Sequence, residues 1–203
     1  MLKYLVVVSV LFWSLSAFAE CSVNDDSFVI DIGQITSRVY SPEVMSGKFT
    51  QEKNIADMGI TLKSGGSFSI DKSKGIKWKS EKPSLNTIII EDNKICMDNG
   101  NGVTIIDSEV NQTMKHVVEV MRSLLTQDYE ILQEHFDIYA DICNGFHITL
   151  KSKDSTISSI FTKLDVYGSH FVEEVIFENK EGDKTKITFT DVTEKSEDFS
   201  CEQ

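Results

Sequence analysis

The chain has 203 residues, with 20 lysines and arginines against 32 aspartates and glutamates, a formal net charge of −12 and 40% hydrophobic residues. That length suits one domain with one sizeable core, and the hydrophobic fraction excludes the disordered class. The acidic balance serves solubility and repels nucleic acid and anionic lipid headgroups alike, so neither is an expected partner.

Residues 1–19 stand apart from the rest. Lys3 supplies a positive start, Leu5 to Leu15 is an apolar run, and Ala17-Phe18-Ala19 fits the small-x-small cleavage rule. The expectation is a secretory signal peptide over residues 1–19, followed by a single domain over residues 20–203. The apolar run is short of the roughly 20 residues that span a bilayer, and the acidic stretch from Glu20 follows at once, which argues against an anchor. Cys21 lies near the cleavage point, but the acidic Glu20 before it is unlike the residues that precede a lipidated cysteine. Loss of the signal removes Lys3 and no acid, leaving 19 basic and 32 acidic residues, a net charge of −13.

From Ser27 to Tyr40 the apolar positions Phe28, Ile32, Ile35 and Val39 recur at helical spacing, with Asp25 or Asp26 available as N-cap. Ser41-Pro42 stops that helix. Gly47 to Pro83 then reads as three strands in succession, because apolar and polar residues alternate through Phe49–Lys53, Ile60–Leu62, Phe68–Ile70 and Ile76–Trp78. Gly59, the Ser64-Gly65-Gly66 run and Gly75 are read as turns, and Pro83 as the end of the third strand. Leu85–Glu91, Ile95–Met97 and Val103–Ile106 continue a meander, separated by Asp92-Asn93 and the run from Asp98 to Gly102.

The period changes at Asn111. Met114, Val117, Val118, Met121, Leu124 and Leu125 fall along one helical stripe, which fits either an ordinary core helix or, given the pliable methionines, a surface against a ligand of variable shape. A short helix over Asp128–Glu134 follows. Alternation by two then resumes in Phe136, Ile138, Ala140 and Ile142, turns at Asn144-Gly145, and returns in Phe146, Ile148 and Leu150. Further strands are expected over Ser159–Tyr167 (Ile160, Leu164, Val166), around Phe171, Val175 and Phe177, and, after Glu181-Gly182-Asp183, over Lys184–Thr190. The tail from Glu194 to Gln203 is polar and is expected to be mobile as far as Cys201. The sum is an α+β fold: one strongly curved antiparallel sheet of about ten or eleven strands, an incomplete barrel, with helices over its concave face.

No catalytic set emerges. His116, His135, His147 and His170 are scattered with no zinc spacing, Ser67 lacks a nucleophile-elbow context, and neither enzyme activity, metal nor cofactor is expected. The four cysteines include no C-x-x-C pair and read as disulfides in an exported chain. Three connectivities are possible. The favoured one joins Cys96 to Cys143, on strands flanking the central helices, and Cys21 to Cys201, tying the two ends; the first loop alone would contribute roughly 4 kcal/mol in the chain-entropy model.

The G-x-F-x-Q start at Gly47, the Ser-Gly-Gly-x-Phe run, Gly75-Ile-x-Trp78 and Lys82-Pro83 together resemble the LolA-type lipoprotein carriers of the bacterial periplasm. Leu124-Leu125 with Asp128, Leu132 and Phe136, then Gly182-Asp183 with Thr185, Ile187 and Phe189, extend the resemblance over most of the chain beyond residue 45. It implies a periplasmic, monomeric shuttle that hides the acyl chains of a lipoprotein or glycolipid cargo, taking it from an inner-membrane exporter to an outer-membrane acceptor. The alternative is a lipid-sensing or lipoprotein-sensing regulatory module that binds a membrane partner. The acyl chains would lie among Phe49, Leu62, Phe68, Ile70, Ile76, Trp78, Ile88 and Ile90 from the first strands, and Met114, Val117, Val118, Met121 and Leu125 from the helix. Ile148, Leu150, Leu164, Val175, Phe177, Ile187 and Phe189 would complete the lining. In typical members an arginine before the Gly-x-x-Trp-like strand latches the helical lid; Lys72 looks like that position here, keeping the charge without the planar fork of donors. The departure points toward the divergent relatives that serve glycolipid or lipid-linked pigment export.

Overall fold

The computed structural model describes residues 39–91, 94–107, 128–141, 145–153 and 160–195, together with residues 35, 119, 120, 122–124, 126, 155–158, 197 and 199–201. Strands β1 (Val44–Ile55), β2 (Ile60–Asp71), β3 (Gly75–Lys82), β4 (Asn86–Ile90), β5 (Lys94–Asp98) and β6 (Val103–Asp107) form a meander. A second one comprises β7 (Phe136–Asp141), β8 (Phe146–Ser152), β9 (Lys163–Gly168), β10 (Val172–Glu178) and β11 (Lys184–Thr193). The two join where β1 pairs with β11, giving one sheet in the order β6-β5-β4-β3-β2-β1-β11-β10-β9-β8-β7. Its end strands are not paired with each other, so the sheet stays open; sheets of this size twist and curl.

Two short helices are fully bounded: α1 (Tyr129–His135), between β6 and β7, and α2 (Ser155–Ser158), between β8 and β9. Asp128 caps α1, its carboxylate accepting from the Ile131 N–H at 3.4 Å, as the Asp128–Glu134 reading expects. Of the expected first helix, Ile35 and Val39 are described; both are buried and are linked by a Val39 N–H to Ile35 C=O bond of 2.9 Å. Of the long stripe only Leu124 is described, and Val120, one helical turn before it, is buried with it. Phe28, Ile32, Met114, Val117, Val118, Met121 and Leu125 lie outside the described residues.

Three readings need correction. Ser64-Gly65-Gly66 is not a turn: it sits inside the twelve-residue β2, where the register with β3 slips between Gly65 and Gly66. A glycine pair inside an alternating run signals a bulge as readily as a reversal, and the bulge prevails here. Cys96 pairs with Cys201, which overturns both the expected Cys96–Cys143 bridge and the expected Cys21–Cys201 bridge, with a Cα–Cα distance of 5.7 Å. Cys96 is on β5, near one end of the sheet, whereas β7 and β8, between which Cys143 falls in the sequence, are at the other end. Cys21 and Cys143 themselves lie outside the described residues. The third correction concerns the tail, which is packed before Cys201: Phe199 and Cys201 are buried, and the Glu197 N–H donates to Ser69 Oγ at 3.0 Å.

Candidate functional site

Cross-strand pairing decides which side chains share a face. Phe49 stands opposite Phe189 on β11 and Gly66 on β2; Phe68 opposite Gly47 and Trp78; Trp78 opposite Ile88; Ile88 opposite Met97. On the other side Ile187 faces Val175, Val175 faces Val166, Val166 faces Ile148, and Ile148 faces Ala140. Because side chains alternate along a strand, this chain of partners defines one inner face running across ten of the eleven strands, and it is apolar at nearly every step. The described members of the expected lining all have inner-face register.

Phe49, Phe68, Ile70, Ile76, Ile148, Leu150, Leu164, Val175, Ile187 and Phe189 are buried in one cluster that also takes in Ile35, Val39, Val120 and Leu124. Trp78, Ile90 and Phe177 pack half-buried against it, and Ile88 is half-buried too. Leu62 differs: it is 52% exposed, and its inner-face neighbour Ile60 is 43% exposed. Along β2 the apolar row therefore passes from Ile70 at 1% and Phe68 at 5% out into solvent at the β1–β2 hairpin. The expected list missed Met45, Phe136, Ile138, Phe146, Phe161 and Val166, all buried in the same cluster. Phe146 and Val166 belonged to rows whose alternation was plain, and that signal could have found them.

An aromatic knot closes the middle of this face. Phe49 and Trp78 stack with ring centroids 3.9 Å apart, and Phe189 meets Phe68 edge-on at 5.1 Å and Trp78 at 6.1 Å. Two glycines make room. A Cβ on Gly47 would lie 2.8 Å from Phe68 Cε1 and 2.9 Å from the Thr190 carbonyl oxygen, so the Phe68 ring occupies the space that a side chain would take. Gly66, opposite Phe49, leaves the strand between Phe49 and Trp78 bare at that level. The G-x-F and Ser-Gly-Gly-x-Phe patterns thus have a packing cause.

At the end away from the hairpin a ring of hydrogen bonds ties helix to sheet. Ser41 Oγ donates to the Thr126 carbonyl at 2.7 Å, Thr126 Oγ1 to the Arg122 carbonyl at 2.9 Å, Arg122 Nη2 to the Lys72 carbonyl at 3.1 Å, and Lys72 Nζ to the Ser41 carbonyl at 3.1 Å. The tie runs opposite to the expectation for Lys72. Its ammonium holds the linker, with Glu43 at 3.6 Å, and the guanidinium that reaches across comes from Arg122 on the helical side. A single long side chain at an isolated helix position carries no sequence signal for this role.

The outer face carries ion pairs, among them Lys186 with Glu174 and Lys63 with Glu52, both 2.5 Å apart. It also holds His147, Asp165 and Thr149. Thr149 Oγ1 donates to Asp165 Oδ1 at 2.7 Å, His147 Nε2 lies 3.1 Å from the same oxygen, and Lys163 Nζ is 2.9 Å from the other. In a nucleophilic relay the imidazole stands between hydroxyl and carboxylate; here the hydroxyl proton goes straight to the carboxylate. Burial pushes the Asp165 carboxyl up, but the bonds from Thr149, Lys163 and His147 outweigh it and hold it below the usual carboxylate range. Burial raises the Tyr129 phenol on α1 far above its ordinary value. Among the described residues no group of three or more His, Cys, Asp or Glu is placed to hold a metal, and no helix is long and apolar enough to cross a membrane.

Comparison with solved structures finds a LolA superfamily protein from Nitrosomonas europaea at 7% identity and TM-score 0.45, over 84% of this chain and 94% of that one. A putative outer membrane lipoprotein-sorting protein domain from Vibrio parahaemolyticus matches at 13% identity and TM-score 0.41, over 80% and 90%. The MucA/MucB complex of Pseudomonas aeruginosa matches at 10% identity and TM-score 0.41, over 74% of this chain and 51% of that one. Comparison with curated proteins gives no match. The family model described as outer membrane lipoprotein carrier protein LolA matches residues 41–199, and the chain accordingly belongs to the LolA family.

Proposed function

We propose that this protein is a periplasmic carrier that shields the acyl chains of a lipidated cargo, a lipoprotein or a glycolipid, between an inner-membrane exporter and an outer-membrane acceptor. One observation carries the reading: the inner face is apolar from strand to strand and runs from a buried core out to exposed Ile60 and Leu62 at one end. Fatty chains entering there would run inward toward the knot of Phe49, Phe68 and Trp78. Each CH₂ shielded from water is worth about 0.8 kcal/mol, so a site that takes one fatty chain competes with the chain's place in a bilayer.

In this reading the helical segments that contribute Ile35, Val39, Val120 and Leu124 are the cover, and the ring through Ser41, Lys72, Arg122 and Thr126 is its latch. Opening it breaks a few hydrogen bonds, each with a net worth of about 1 kcal/mol, which suits a cover that must lift during a transfer cycle. Residues 1–19 would direct export, and the acidic total would keep a monomeric carrier off anionic membrane surfaces.

The test is binding of a fluorescent fatty-acid probe, with native mass spectrometry of protein from a periplasmic extract. The protein should bind the probe and carry a lipid of defined mass, and Trp78→Glu should abolish probe binding while the protein stays folded. An empty protein that ignores the probe would overturn the reading.

A further inference from the structure

Beyond β11 the chain crosses the outer face of the sheet along a single line. The Glu197 N–H donates to Ser69 Oγ on β2, and Ser69 is only 2% exposed. The Glu197 carboxylate lies 3.2 Å from Lys77 Nζ on β3. The Cys201 N–H donates at 2.9 Å to Glu91 Oε1, just past β4, and the Cys201 sulfur is bonded to Cys96 on β5. Ser69, Lys77, Ile89 and Cys96 are successive cross-strand partners, all on the face opposite the aromatic knot. Phe199 is 5% exposed within this strap and lies outside the main core cluster, so the strap has a small apolar seat of its own.

The geometry closes a circuit. From β11 the pairing runs through β1, β2, β3 and β4 to β5, and the strap returns from β5 to the end of β11 by a covalent bond. A sheet held only by its ladders can change twist between neighbouring strands; one bridged across its back cannot do so without stretching the strap. The stretch so held includes Trp78 and Ile88, which lie on the inner face next to the positions that the strap crosses.

We propose that the strap is a redox-sensitive brace, which with the Cys96–Cys201 bond intact fixes β2–β5 and keeps the inner face at Trp78 and Ile88 shaped for its ligand. A dithiol reductant unlocks it by ordinary exchange. One thiolate attacks a sulfur of the bond, forming a mixed disulfide and releasing the other cysteine as thiolate, which takes a proton. The reductant's second thiol then displaces the mixed disulfide, leaving Cys96 and Cys201 as thiols and the reductant as a disulfide. Freed of its anchor, the strap leaves Ser69 and exposes Phe199. The ligand part of this inference rests on the acyl-binding reading above; the mechanical part does not.

The experiment compares oxidised protein, protein reduced with dithiothreitol, and the Cys96→Ser/Cys201→Ser double variant, with Glu197→Pro as a variant that keeps the disulfide but removes the N–H donated to Ser69. Hydrogen exchange of backbone amides in β3–β5 should quicken at least tenfold in the reduced and double-variant proteins, and measurably in Glu197→Pro. Affinity for the fluorescent fatty-acid probe should fall at least fivefold alongside. Exchange in the double variant within twofold of the oxidised protein would overturn the brace. If the oxidised protein binds no probe, the carrier reading fails and the exchange rates still decide the brace; faster exchange with unchanged affinity would overturn its link to the ligand.

Discussion

Among single residues, the glycines opposite the aromatic knot carry the sharpest consequence. Gly47→Ala places a methyl carbon against the Phe68 ring and the Thr190 carbonyl, closer than real contacts allow. Overpacking of this kind costs about 1–3 kcal/mol, and the urea midpoint should fall accordingly. Asp165 gives a pH signature. Its carboxyl titrates below the ordinary value in the folded chain, so the unfolded chain binds more protons near that value and the Asp165 bonds add stability above it. That stability is lost as pH falls from about 4 through the depressed folded value. Stability measured over this acid range should fall less steeply in Asp165→Asn than in the parent; an identical slope would mean that Thr149, His147 and Lys163 do not hold the charge. Neither site announces itself as special in the sequence. Gly47 is visible only as part of a family pattern, and Asp165 is one acid among 32 until the register sets it beside Thr149.

At the level of elements, the β1–β2 hairpin is where the core stops and the inner face does not. β2 pairs with β3 from Gly65 onward, so residues 60–64 extend past the neighbouring strand with Ile60 and Leu62 exposed. Replacing both with lysine removes apolar surface from a solvated site, and stability should change by no more than about 0.5 kcal/mol. Affinity for the fatty-acid probe should nevertheless drop severalfold; full affinity would place the entrance elsewhere. Alternation by two revealed most strands, and Asp128 revealed the start of α1. What stayed hidden has physical reasons: a glycine pair marks bulge and turn alike, Ser155–Ser158 is too short for a period to show, and the polar tail is held by its backbone N–H groups, one buried phenylalanine and a bond to a distant cysteine.

For the whole molecule, the pattern pointed to one mostly antiparallel sheet of about ten or eleven strands, and the open eleven-stranded sheet agrees with that. The apolar inner face was legible because the apolar rows of successive strands fall into register. The hydrogen-bond ring through Arg122 and the path of the tail were not, since both depend on which elements meet in space.

The seam between β1 and β11 also bears on how the chain must be made. The first strand of the sheet finds one of its two neighbours only after the other strands of the sheet have been made, with Thr50 waiting for Thr188. Until then both half-sheets present a raw hydrogen-bonding margin at what will become the centre. A chain ending before residue 184 should therefore not fold into a smaller version of the protein; it should associate through those margins, which light scattering of the truncated product would reveal. Completion of this sheet waits on β11, and a stop just ahead of that strand is as damaging as one soon after β1.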